Sequence, residues 1–509
     1  MTTSFSNAVA VHDPADQKPV RQIAQPVFRR PHTLASRMAF LMICLAIVLT
    51  TLAYGTVHYW ALAVFAVSAA SLVAFWVLDA AVLRAALVPV NPLQWPILAL
   101  VVLGLLQLLP LRSPDDAGLS LSPVRSLSLD PYSTRLVIVQ VTALLFYFVA
   151  TTVFLDTPRR LKALVRAIVI FGFILAAFGL TQSFTTDGTR VYWFRQLTQS
   201  QAFGPFINRH HFAGYMELAL AMPLGLLVSG ALESYKRPLY AFAVVVMAMS
   251  LVATNSRGGI ISLGAEIFFV LVVAGFSWRR KKEQSRAQRM RSAVLRAAAA
   301  VGIVLVLIGG ALLISGPEVF TRFLGTPVAD DPTQGRAHFW NVTLDVIKSH
   351  PMLGSGLGSF SVIYTRYDTR NGAFRLEQAH NDYLQTLSDA GILGAVLGVA
   401  FIVILFRRGF ARRETHDKFR RGVNTGALAG CFAVLIHSFF DFTLHTTANA
   451  LLFIIICAIA TQDTRINTTY DLRARGGRRR RKSSETEPAE SVPVPATDSV
   501  PVVDVAAIP

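Results

Sequence analysis

Cysteine is nearly absent from this chain: Cys44, Cys431 and Cys457 are the only three in 509 residues, and each lies inside an apolar run. Neither a disulfide framework nor a thiolate metal cluster is therefore expected, and the three read as small core residues. Charge is scarce as well, at 15% of residues against roughly 25% in an ordinary soluble domain, while 53% are hydrophobic. Water cannot be the solvent along most of such a chain. No cleavable signal is expected, because residues 1 to 37 are polar, contain several prolines and lack a basic segment leading directly into a short apolar run and a small-residue cleavage site. The first apolar run is expected to be a retained signal anchor. No internal repeat at a fixed period is visible. Acidic residues are in deficit, 30 Asp and Glu against 48 Lys and Arg, for a net charge of +18. In a soluble protein that excess would suggest nucleic acid. Here the basic residues fall in short blocks between apolar runs, so they report membrane orientation and no nucleic-acid partner is expected.

Long apolar sequence is what the chain has in abundance. A crossing of the hydrocarbon needs roughly 20 predominantly apolar residues. Such runs occupy 38–55, 60–83, 92–111, 134–154, 162–181, 211–229, 238–254, 258–277, 293–315, 390–407, 423–440 and 446–462. The expected fold class is all-α: a polytopic membrane protein of about 12 transmembrane helices with a large extracytoplasmic loop containing short helices.

Cytoplasmic loops carry the Lys/Arg excess. Arg21, Arg29, Arg30 and Arg37 precede the first run, and Arg159, Arg160, Lys162 and Arg166 follow the fourth. Arg279 to Lys282, Arg286, Arg289 and Arg291 follow the eighth; Arg407, Arg408, Arg412, Arg413, Lys418, Arg420 and Arg421 follow the tenth; Arg473, Arg475 and Arg478 to Lys482 follow the last. All of these share one side if both termini are cytoplasmic. The expected organisation is a cytoplasmic N-terminal segment at 1–37, a membrane domain at 38–315, an extracytoplasmic catalytic loop at 316–389, a second membrane section at 390–462, and a basic, disordered cytoplasmic tail at 463–509. From residue 483 that tail is rich in Ser, Glu, Pro and Val and has too few large apolar groups to pack a core.

Four polar clusters stand on the opposite side, immediately before a span or in the long loop. They are Asn208-Arg209-His210-His211, Asn255-Ser256-Arg257-Gly258-Gly259, Gly335-Arg336 with Trp340 and His350-Pro351, and Ala379-His380-Asn381-Asp382-Tyr383. Positive charge is not topologically favoured there, so its arginines call for anionic partners. A guanidinium is always charged and bonds phosphate bidentately. Arg209, Arg257 and Arg336 could converge on a diphosphate; lipid headgroups or the acidic loop residues Asp330, Asp331 and Glu377 are the plainer partners. Residues 336 to 349 read as an amphipathic helix with Arg336, Trp340, Leu344 and Ile347 on one stripe, lying on the membrane surface and anchored by Trp340. Pro351 ends it, and Gly354, Gly356 and Gly358 form a turn that can bend sharply or approach a ligand, without the Gly-Lys-Ser/Thr of a P-loop.

His380 begins a helix leading into the tenth run. A neutral imidazole there could accept a proton from a hydroxyl, since its unperturbed pKa is about 6.5; capping the helix is the plainer role. Glu217 and Glu266 are intramembrane carboxylates and secondary candidates as bases or structural partners. His437 and Asp441, four residues apart, could form a hydrogen-bonded pair that closes the end of the bundle. No His/Asp/Glu set has zinc-type spacing, so no metal and no cofactor are expected.

These motifs resemble the O-antigen ligase family, which includes lipopolysaccharide O-antigen ligases, Wzy-type polysaccharide polymerases and some protein O-oligosaccharyltransferases. The resemblance runs from Gly335-Arg336 through Trp340, His350-Pro351-Met352-Leu353-Gly354-Ser355-Gly356 and Ala379-His380-Asn381-Asp382-Tyr383 to Gly391-Ile392-Leu393-Gly394, and with the Asn208 and Ser256 clusters covers roughly residues 200 to 460. It implies a polyprenyl-diphosphate-linked glycan ligase or polymerase of the bacterial inner membrane, with its site facing the periplasm. Its donor would be an undecaprenyl-diphosphate-linked glycan and its acceptor a glycan or lipid A-core hydroxyl. Membrane lipid surrounds it, and polysaccharide export or assembly proteins are candidate partners. By this resemblance His380 would be the base and Arg209, Arg257 and Arg336 would hold the diphosphate, with Asn208, His211, Trp340, Asn381 and Tyr383 binding substrate. The family often has Asn-Arg-Asn-His where this chain reads Asn208-Arg209-His210-His211, so the matching role goes to His211 and that of His210 stays open. A single displacement of the diphosphate, stabilised by guanidiniums rather than a metal, would invert the anomeric centre.

Two other classes compete. A polysaccharide-related transporter or flippase would bind near the midplane through broken helices and buried charges, often on internal repeats. A non-catalytic assembly scaffold would use the basic tail on lipid or a cytoplasmic partner.

Overall fold

A peptide group in hydrocarbon must bond within its own segment, which forces apolar runs of this length into helices. The structure, a computed structural model, describes residues 32–86, 91–111, 126–186, 188–198, 200–278, 336–370, 376–413 and 417–462. Its helices are α1 (Leu34–Leu52), α2 (Tyr59–Leu83), α3 (Gln94–Gln107), α4 (Pro131–Phe154), α5 (Pro158–Thr186), α6 (Arg209–Val228), α7 (Arg237–Ala253) and α8 (Arg257–Trp278), then α9 (Arg336–Ser349), α10 (Phe360–Tyr367), α11 (Asp382–Arg413), α12 (Lys418–His437) and α13 (Thr447–Thr461). Each expected span coincides with one of these, except 293–315, which lies outside the described residues together with residues 1–31 of the N-terminal segment, 316–335 of the loop and the tail; α1 already begins at Leu34, inside the expected N-terminal segment. Among the described residues, seven helices are long and apolar enough to cross a membrane. The apolar α3 and α13, at 1.5 Å per residue, reach only about 21 and 23 Å against roughly 30 Å of hydrocarbon. One small departure from all-α is a hairpin between α5 and α6, where β1 (Arg190–Val191) pairs antiparallel with β2 (Arg195–Gln196).

Polar side chains fix where helices begin. Thr33, Asp130, Asn208 and Asp417 each accept a backbone N–H from the first turn of α1, α4, α6 and α12, satisfying donors that have no intrahelical partner. Hydrogen bonds between helix ends show that the bundle has two distinct ends. At one, Arg160 donates to the carbonyls of Phe154 and Ser36 at 3.0 Å, and Asn91 reaches Thr461 at 2.9 Å. At the other, Gln107 donates to the carbonyls of Leu353 and Asp389 at 2.7 and 2.9 Å, and Thr447 to that of Thr56 at 3.1 Å.

Helices α6, α12 and α13 form the middle of the bundle and are buried almost throughout. Glycines let α6 and α12 approach closely: a methyl group on Gly426 would strike the Ala221 carbonyl oxygen, and one on Gly225 that of Gly422. Gly422, Gly426 and Gly430 recur at every fourth residue of α12, the spacing by which small residues bring membrane helices together.

Helix α11 is broken at Gly391 (φ 62°, ψ −160°) into a lead-in at 382–390 and the apolar run beyond. The segment after α9 splices the break. Ser355 and Gly356 donate their N–H groups to the carbonyls of Ser388 and Asp389 at 2.8 and 3.1 Å, and Ile392 donates to Pro351 at 2.8 Å. The glycine-rich turn at 354–358 thus satisfies backbone groups that the kink would otherwise leave unpaired.

The expected bounds of α9 hold, but its buried stripe differs. Val342, Thr343 and Val346 are buried against α10 and α11, whereas Leu344 is exposed. Trp340 donates its indole N–H to the Ala379 carbonyl at 3.1 Å. Tertiary packing of the loop on itself, with Val342, Phe360, Tyr364, Leu376 and Ala379 as a small core, sets the helix rotation.

Candidate functional site

The centre of the site is the turn after α12. The lead-in of α11 is stitched to it: Asp382 N–H donates to Ser438 O at 2.9 Å, Asn381 Nδ2 to Phe439 O at 3.2 Å, and Tyr383 Oη to Leu435 O at 2.7 Å. Asn381 Oδ1 also accepts from the N–H groups of Tyr383 and Leu384, capping α11. Between the fixed Ala379 and Asn381, His380 takes φ 52°, a left-handed backbone that bulky L-residues seldom adopt. Asn255, next to Ser256, has φ 54°. Such strain persists where surrounding structure over-determines it, and it clusters at functional sites.

That conformation brings His380 Nδ1 within 3.2 Å of Asp441 Oδ1. The other carboxylate oxygen faces Arg336 Nη2 at 3.6 Å and His210 Nδ1 at 3.7 Å. Asp441 is 1% exposed and His380 25%. Burial works against a charge on Asp441, but the neighbouring His210, the hydrogen bond from His380 and the Arg336 guanidinium outweigh it and hold the carboxyl well below its ordinary range. A carboxylate can only accept, so His380 carries its proton on Nδ1 and presents Nε2 as the open acceptor. Phe442 packs edge-on against His380 and His211, each at 4.9 Å between ring centroids.

Arg336 and His380, 44 residues apart by number, therefore meet on one carboxylate. Arg209 and Arg257 open α6 and α8 at the same end. The Arg209 guanidinium bonds the Gln201 side chain. Its neighbour His210 bonds Ser256 Oγ at 2.8 Å, which joins the start of α6 to the residue before Arg257. Asn208 caps α6 through the His210 N–H, and His211 is buried beside Phe442. His437 does not pair with Asp441 through its side chain, as its spacing suggested. Its Nδ1 lies 2.7 Å from Glu217 Oε1, while the Asp441 N–H donates to the His437 carbonyl at 3.1 Å. Glu266 is buried with neither oxygen hydrogen-bonded among the described residues. Among those residues no three His, Cys, Asp or Glu side chains are placed to hold a metal ion.

The O-antigen ligase family model matches residues 242–399. The chain carries an O-antigen ligase family domain. The match includes Arg257, Arg336, Trp340, His380, Asn381 and Tyr383, but ends before Asp441 and begins after Asn208 to His211. A search of curated proteins found no match. The O-antigen ligase domain thus supplies one part of the cluster, while α6 and the turn after α12 supply the rest. Asp441 and His210 are the residues that sequence reasoning left without a role at the site. A buried acid just beyond an apolar run was the available signal for Asp441.

Proposed function

We propose that this protein is a membrane glycan ligase or polymerase that transfers a glycan from an undecaprenyl-diphosphate carrier to an acceptor hydroxyl, without a metal and with inversion. The observation that carries the reading is the Asp441 carboxylate with His380 on one oxygen and Arg336 beside the other. His380 Nε2 takes the proton of the acceptor hydroxyl as that oxygen attacks the anomeric carbon. The bond from that carbon to the diphosphate oxygen breaks, and its electron pair leaves with the diphosphate. Asp441 stabilises the imidazolium that forms, and Arg336, Arg209 and Arg257 face the departing charge. Diphosphate is a good leaving group, so orientation and proton removal are the main demands.

The membrane arrangement in this reading has twelve spans, cytoplasmic termini and a periplasmic site. The test is complementation of a strain lacking the protein: His380→Ala and Arg336→Ala should insert at wild-type levels yet form no glycan product. Normal product from both variants would refute the assignment. Substrate flux in vesicles without covalent product would favour a transporter.

A further inference from the structure

A second imidazole is tethered in the same manner, and the Phe442 ring neighbours both. His445 Nδ1 lies 2.7 Å from Asp382 Oδ1, and Ser438 Oγ donates to Asp382 Oδ2 at 2.8 Å. Asp382 is buried, whereas the His445 side chain is 34% exposed. The Phe442 ring centroid lies 4.9 Å from that of His380 and 6.4 Å from that of His445. Neither ring has a partner for Nε2 among the described residues.

The two carboxylates are used differently. Asp441 faces His380, Arg336 and His210, while among the described residues Asp382 bonds the His445 imidazole and the Ser438 hydroxyl. Burial works against protonation of His445, but the hydrogen bond to Asp382 and the charges of Asp382 and Asp389 outweigh it and raise its pKa above the ordinary 6.5. Among the described residues those two carboxylates of α11 are the ionisable groups that act on it. From α4 the neighbour is Gln140, which donates to the His445 carbonyl at 3.4 Å, and α13 opens with the uncharged Thr447 to Asn449. An imidazolium with a free Nε2–H is a donor for an anion, not a base.

We infer that His445 is a second substrate-facing imidazole, held as a cation by Asp382 to bind a phosphate oxyanion of the donor, with Asp382 as its positioning residue. The inference rests on the lipid-diphosphate reading above. It divides the labour of the site: His380 receives the acceptor's proton, and His445 helps to retain the donor.

The test is equilibrium binding of farnesyl diphosphate and of inorganic diphosphate to the purified full chain in lipid nanodiscs, across pH. Each probe titrates identically for every variant, so differences between variants report the protein. Wild-type affinity should be greatest in acid and fall as pH rises through the elevated His445 pKa. His445→Gln should weaken both probes by on the order of tenfold on the acid side and abolish that fall. Asp382→Asn should move the fall to lower pH, and His445→Arg should restore affinity while removing the pH dependence, which controls for misfolding. Wild-type affinity and pH profile in His445→Gln would overturn the inference, as would an effect on farnesyl diphosphate alone. If the wild type bound neither probe, the lipid-diphosphate reading itself would fail.

Discussion

Asp441 is the residue on which the site's charges balance. With the Arg336 guanidinium and two imidazoles around one buried carboxylate, removing its charge should affect chemistry more than shape. Asp441→Asn keeps the side-chain volume but loses the partner of the imidazolium, so kcat for glycan transfer is expected to fall about a hundredfold or more, as for loss of an oriented general base. The same charge contributes to stability. Folding lowers this carboxyl's pKa, so its contribution is fully present above the ordinary value of 3.8 and is lost as pH falls through the lower folded value. Thermal melts of wild type and Asp441→Asn should differ at neutral pH and converge in strong acid; parallel curves at all pH values would show that the charge does not stabilise the fold. His380 and Arg336 could be singled out from sequence because histidine and arginine beside a membrane, in a polar cluster, already suggest chemistry. Asp441 was noticed but given the wrong partner, because His380 is 61 residues away and the local spacing of four pointed to His437. Only the packing of α6 against α12 gives His437 to Glu217 and leaves Asp441 for the site.

At the scale of elements, the break in α11 determines where His380 stands. Gly391 has a positive φ, and a methyl group there would collide with the Met352 carbonyl. Gly391→Ala should therefore both strain the backbone and push the 351–358 segment off the kink. The expected loss is about 1–3 kcal/mol of stability together with most of the activity. Gly398 lies in the same helix with nothing within 4 Å of an added Cβ, so Gly398→Ala should be neutral or slightly stabilising. Equal melting temperatures for the two variants would remove the structural role assigned to the break. The apolar runs made the helices legible, since their length admits little else in lipid. The break was not, because a lone glycine in a helical pattern is compatible with continuity. The short β hairpin was missed too, as its few residues carry little alternation. The buried stripe of α9 was misplaced because hydrophobic spacing was read for a helix on a lipid surface, whereas Val342 and Val346 face a core supplied by residues far away in sequence.

For the whole molecule, the bundle's two ends must face different compartments if the chain spans a membrane, and the site occupies only one of them. Arg160, in the block following the fourth apolar run, lies at the end away from His380, as the distribution of basic residues requires. On the proposed reading that site faces the periplasm, and labelling tests it. Thr189 and Lys348 belong to segments at the site end, and Glu233, between α6 and α7, stands at the other; Thr189 and Lys348 are exposed, as is Glu233. Single cysteines at these positions, in a background without Cys44, Cys431 and Cys457, would face a membrane-impermeant thiol reagent in cells whose outer membrane alone is permeabilised. Thr189→Cys and Lys348→Cys should react at once, and Glu233→Cys only after the inner membrane is opened. The reverse pattern would put His380 and its arginines in the cytosol, where a lipid-linked glycan already moved to the outer leaflet could not reach them.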